Sequence, residues 1–74
     1  MRMSELRPGQ RAVLAAMGQG SPVLERLRHM GFSDGAQVEL AHVNFGKTLA
    51  AFIIDDSIIA LRPEDCRRIE VVPL

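Results

Sequence analysis

The chain has 74 residues, with nine Lys and Arg against nine Asp and Glu, one Cys, and neither Trp nor Tyr. That length holds one compact domain, since two halves could not each enclose a core. The apolar share of 47% and charged share of 24% are those of a folded protein rather than a disordered one. Zero net charge argues against a dedicated nucleic-acid module, whose affinity rests on neutralising phosphates, and only Phe32, Phe45 and Phe52 are available to stack on bases.

The lone Cys66 has no internal partner, so no disulfide staples this small fold, as secreted domains of the size usually require. The opening stretch MRMSELRPGQ has no apolar signal-peptide core. The longest apolar run, Leu49 to Ile54, is far short of the roughly 20 residues that span a bilayer. Together these features point to a cytoplasmic, soluble protein.

Pro8-Gly9 signals a turn, and Leu6 is the apolar residue before it suited to anchor the N-terminus. Gln10 to Met17 reads as a strand, with Val13, Ala15 and Met17 on one face and Leu14 and Ala16 on the other. After Gly18-Gln19-Gly20, Ser21-Pro22 is a helix start: the hydroxyl can accept from a free backbone N–H, and Pro suits the first helical position. Val23, Leu24, Leu27 and Met30 then share one helical face, and Glu25, Arg26, Arg28 and His29 point away. Gly31 stands where a left-handed C-cap ends the helix after about ten residues.

Asp34-Gly35 is a turn. Ala36 to Val43 alternates as a half-buried strand with Val38, Leu40 and, by phase, His42 on the core side. Asn44-Phe45-Gly46 interrupts it, and Thr48 to Ile54 resumes as a strand. Asp55-Asp56 reverses the chain into Ser57 to Arg62, although Asp-Asp is a poorer turn than Asn-Gly. Pro63 to Cys66 is one helical turn, and Arg67 to Val72 is a last strand with Ile69 and Val71 inward. One domain over residues 1–74 follows: an all-β (mainly β) small barrel of five to six short strands, with one α-helix inserted after the first strand.

Chemical motifs are few. Ala41 to Thr48, AHVNFGKT, imitates a phosphate-binding loop, but its Lys47-Thr48 leads into an apolar strand instead of a helix, so it is expected to be a hairpin loop. His29, His42 and Cys66 are possible metal ligands without the spacing of a metal motif. Cys66 beside a short helical turn is better suited to packing than to nucleophilic attack. The carboxylate pairs Asp55-Asp56 and Glu64-Asp65 sit at turns. No enzyme activity and no cofactor are expected. Glu25, Arg26, Arg28 and His29 are the candidate partner-binding residues, on the strength of their exposure.

From Glu25 to Leu40, ERLRHMGFSDGAQVEL, the chain resembles the FeoA family, ferrous iron transport protein A: Arg26-Leu27, Met30-Gly31 and Gly35 match the family pattern. The resemblance extends to Leu6, Pro8, Gly9 and Gln10, to Ile59 to Arg62, and to Arg68 to Val71. Two loops depart from it, with Gly46-Lys47-Thr48 in place of Gly-Asp-Pro, and Asp55-Asp56-Ser57 where glycines are common. The resemblance implies an SH3-like barrel in a cytosolic accessory protein that binds and modulates FeoB, the membrane iron(II) permease with a G-protein domain. It implies no polyproline groove, which would need Tyr and Trp. A metal-binding module that senses or delivers Fe(II) is the alternative, and a homo-oligomer is left open. Leu24, Leu27, Met30, Val38, Leu40 and Ile59 are the expected core.

Overall fold

The computed structural model describes residues 1–74. After a 3-10 turn at Met3–Glu5 come β1 (Arg11–Met17), α1 (Pro22–His29), β2 (Gln37–Val43), β3 (Ala50–Ile54), β4 (Ser57–Leu61), α2 (Pro63–Cys66) and β5 (Ile69–Pro73). All five strands form one antiparallel sheet in the order β4-β3-β2-β1-β5. The core is a single apolar cluster that includes Leu14, Leu24, Leu27, Phe32, Val38, Leu40, Phe52, Leu61, Ile69 and Val71.

Two bulges bend the sheet at equivalent places. On β1, Leu14 pairs with Val71 and Ala16 with Glu70, so Ala15 is the extra residue. On β2, Leu40 pairs with Phe52 and His42 with Ala51, so Ala41 is the extra residue. A bulged residue breaks the two-residue alternation and re-aims every side chain beyond it. Met17 and Val43 thereby return to the core, while Ala16 and His42 face solvent. The expected faces of β1 and the core placement of His42 are corrected on this account. The cause is visible in the spacing: Leu14 to Met17 and Leu40 to Val43 are three residues apart, which regular alternation cannot place on one face.

The ends of α1 form as its sequence prescribes. The Ser21 Oγ accepts from the Leu24 N–H at 3.4 Å and donates to Asp65 Oδ1 at 3.4 Å, which ties the helix start to α2. At the other end Gly31 lies in the left-handed region at φ 90°. The Phe32 N–H donates to the Leu27 carbonyl at 3.0 Å and the Gly31 N–H to the Arg28 carbonyl at 3.1 Å. This paired closure is a Schellman cap, and it folds Phe32 onto the helix end beside Leu27. The expected burial of Met30 fails here. Met30 is the C-cap residue and is 58% exposed, because the chain turns away and Phe32 takes the core position. Ile59 is half-buried at the margin of the core. Met3 joins Leu6 in anchoring the N-terminus, since the 3-10 turn puts residues three apart on one side.

Candidate interaction site

The helix face comes first. Glu25, Arg26 and His29 are exposed, and Arg28 is half-buried. The structure brings Glu25 and Arg28 into an ion pair one turn apart. The Arg28 guanidinium also donates to the Met17 carbonyl at 3.2 Å and the Gly18 carbonyl at 2.6 Å, pinning α1 to the end of β1. Arg28 is therefore largely engaged within its own domain. Arg26 and His29 are the members of the quartet with no ion pair or side-chain hydrogen bond.

A second surface is a groove of about 650 Å³ between the N-terminal turn, the β2–β3 hairpin and α2. Met3, Leu6, Leu40, Phe52 and Cys66 make its floor, and Pro8, Val43, Leu49, Ala50 and Pro63 its walls. The charged residues on it, Lys47 and Arg67, are both cations, and neither has a carboxylate partner in the fold. An apolar floor with two unpaired cations suits an apolar segment that carries carboxylates.

The β2–β3 loop overlooks this groove and is held by one residue. Asn44 Oδ1 accepts from the Thr48 N–H at 2.8 Å and the Leu49 N–H at 3.0 Å, and Asn44 Nδ2 donates to Thr48 Oγ1 at 2.8 Å. The Lys47 N–H closes on the Asn44 carbonyl at 2.9 Å, with Lys47 itself at φ 57°. The loop runs from β2 into β3, as expected of a hairpin and not of a phosphate loop. At its tip Phe45 is 106% exposed. A large aromatic held wholly in water by a well-bonded loop contributes nothing to the core and is suited to anchor a partner. Phe45, Lys47 and Leu49 were missed as functional candidates in the sequence. The available signal was an aromatic set between Asn and Gly, where a turn gives it nothing to pack on.

No three His, Cys, Asp or Glu side chains converge where they could hold an ion. His29 and His42 are exposed on α1 and β2, and Cys66 is buried. Burial, with Asp65 and Glu64 adding to it, pushes the Cys66 thiol up from 9.0 to about 11, opposite to what a nucleophile needs.

The model of the FeoA domain matches residues 1–73. The chain belongs to the FeoA family. Among solved structures, the FeoA protein from Chlorobium tepidum superposes with a TM-score of 0.92 at 23% identity, covering all of this chain and 70% of that one. Iron(II) transport protein A from Clostridium thermocellum gives 0.89 at 28% identity; this chain is matched in full and spans 46% of that one. FeoA from Stenotrophomonas maltophilia, solved with zinc and described as a prokaryotic SH3 domain protein, gives 0.81 at 25% identity over 96% of this chain and 88% of its own. No curated protein sequence matches the chain. The domain is thus a small SH3-like FeoA barrel of an accessory family linked to ferrous iron transport. No helix is long and apolar enough to cross a membrane.

Proposed function

We propose that this FeoA domain is a non-enzymatic accessory module on the cytosolic side of the membrane, where it docks on FeoB and modulates ferrous iron uptake. Family membership supports the iron-transport setting. The observation that carries the docking role is Phe45, presented in full to solvent on the loop whose Lys47 and Leu49 line an apolar groove that Arg67 also borders. The complementary element is an apolar segment of FeoB with one or more carboxylates. Arg26 and His29 on α1 offer a second contact, while Glu25 and Arg28 contribute there mainly through their pairing.

Purified FeoB and this domain provide the test. Phe45→Ser with Lys47→Glu is expected to weaken binding about a hundredfold, since exposed aromatic anchors dominate such interfaces. Arg26→Glu with His29→Glu is expected to weaken it by less. The reverse ranking would assign the interface to the helix face, and unchanged binding by both variants would overturn docking through either surface.

The second reading, Fe(II) binding by the domain itself, is favoured by the zinc complex of the Stenotrophomonas maltophilia relative. Anaerobic titration calorimetry separates the two. Tight stoichiometric uptake of Fe(II), lost on changing His29, His42 or Cys66, would support the metal-binding reading.

A further inference from the structure

The two edges of the sheet are finished differently. The β5 edge is closed by the start of the chain: the Val71 N–H donates to the Met1 carbonyl at 2.7 Å, the Met1 ammonium donates to the Val71 carbonyl at 3.0 Å, and Arg2 bridges Glu70. The β4 edge has no such cover. Within the sheet β4 pairs with β3 alone, and no backbone bond outside that ladder reaches Ser57 to Leu61. Natural edge strands are usually blunted by charges, prolines or bulges, yet SIIAL contains none.

The turn sets which groups this edge offers. Asp55 and Asp56, at φ 47° and 66°, make a two-residue hairpin turn closed by Ile54 and Ser57. The closing pair of such a turn is hydrogen-bonded, and bonding then alternates along the strand. Ser57, Ile59 and Leu61 therefore bond to β3, and Ile58 and Ala60 turn their N–H and C=O groups outward. Ile58 is also 75% exposed, beside the exposed Ile53 on the outer face of the sheet.

We infer that the β4 edge pairs antiparallel with β4 of a second copy, about a two-fold axis through Ile59. This register sets Ile58 of each copy against Ala60 of the other, so that their outward N–H and C=O groups satisfy one another. It also brings Asp56 of each copy level with Arg62 of the other. Neither residue has an ion-pair partner within its own chain, and the two-fold makes this charge match twice. On the outer face Ile53 and Ile58 of both copies join into one apolar stripe. The strand that carries no charge is thus flanked by opposite charges at its two ends, which favours antiparallel self-pairing over parallel pairing. No residue of Ser57 to Leu61 lines the groove, and none belongs to α1, so the self-association is a different contact from docking on FeoB.

Sedimentation equilibrium across about 10 μM to 1 mM tests the inference, a range suited to an interface of one strand pair. The expected result is a mass rising from 8.2 kDa towards twice that value, with slowed amide exchange at Ile58 and Ala60 as the dimer fills. Ile58→Lys is expected to remain monomeric throughout. Arg62→Asp, which sets carboxylates opposite one another, is expected to weaken the dimer about tenfold, and adding Asp56→Lys should restore it. Should Ile58→Lys fail to fold, the two charge variants at exposed positions decide the matter. A monomer at every concentration, or a dimer indifferent to Arg62→Asp, overturns the inference. So does protection of the Ile58 and Ala60 amides only by a different protein.

Discussion

Arg28 on α1 donates to the Gly18 carbonyl at the end of β1, at 2.6 Å. The same guanidinium reaches Met17 and pairs with Glu25, so one side chain joins the helix, the strand and the connection between them. From the other side, Arg68 donates to the Gln19 carbonyl and the Gly18 N–H donates to the Arg68 carbonyl at 2.7 Å. The short Gly18-Gln19-Gly20 connection is thus held between two arginines. A Cβ on Gly18 would lie 3.3 Å from both the Cβ and the carbonyl oxygen of Arg68, so a side chain there would require Arg68 to shift slightly.

Arg28→Ala is accordingly expected to cost about 1.5 kcal/mol, the scale of charge-assisted hydrogen bonds to half-buried carbonyls. Arg28→Lys should recover less than half, because an ammonium lacks the fork that spans two acceptors. Arg26→Ala, without such bonds, should stay within about 0.5 kcal/mol of the parent. Urea unfolding of the three variants checks the ranking.

Gly31→Ala isolates the backbone term at the helix cap. Nothing lies within 4 Å of an added Cβ, so sterics with neighbours are not involved, but the residue must hold φ 90°. A loss of about 1 kcal/mol is expected, with Gly31→Asn losing roughly half as much. Thermal melts at matched pH measure both.

The β3–β4 turn is open to improvement. Asp55 and Asp56 both occupy positive φ, as this hairpin turn requires, but aspartate does so at a conformational cost that Asn-Gly avoids. Asp55→Asn with Asp56→Gly is expected to stabilise the domain by about 1 kcal/mol, seen as a rise in Tm of roughly 5 °C for a chain of this size.

Cys66 couples stability to pH at the alkaline end. Its thiol is raised in the folded state from 9.0 to about 11, so above pH 9 the unfolded chain loses this proton while the folded chain keeps it. The contribution is fully present below pH 9.0 and is lost as pH rises to about 11. Over that interval the parent should lose about 2 kcal/mol more than Cys66→Ala, by the usual 1.4 kcal/mol per unit. The measurement is the difference between their urea unfolding curves at each pH. Slow alkylation of the native thiol at pH 8 is the companion observation.

The elements were legible because each has a local cause. Ser21-Pro22 and Gly31 bound the helix through side-chain and backbone preferences that act within a few residues. Pro63 to Cys66 forms its turn at the expected positions, and the strands differ from expectation by at most two residues at an end. Errors arose where distant residues decide. Met30 fits the apolar face of the helix by period, but Phe32 competes for the same space and wins once the cap folds it back. His42 follows the alternation of β2 only if Ala41 does not bulge, and the pairing with β3 makes it bulge.

The candidate site was less legible than the fold. Helical phase singles out the exposed quartet on α1, but phase alone does not show that Arg28 reaches back to the Met17 and Gly18 carbonyls. The groove draws on residues from Met3 to Arg67, and no motif joins positions that far apart.

Length, neutrality and a lone cysteine already described a small domain with no internal disulfide. Turn residues, caps and apolar spacing then determined one helix among short strands, because those preferences are local and survive without tertiary context. Tertiary structure alone decided which side chains remain free. Antiparallel pairing placed the bulges, closed one sheet edge with Met1 and Arg2, and left β4 bare. It also left Phe45 wholly in water on the β2–β3 loop, whose Lys47 and Leu49 line the apolar groove. Contacts between residues far apart in the chain exist only once the sheet has closed around its core, and they govern the surface this protein presents.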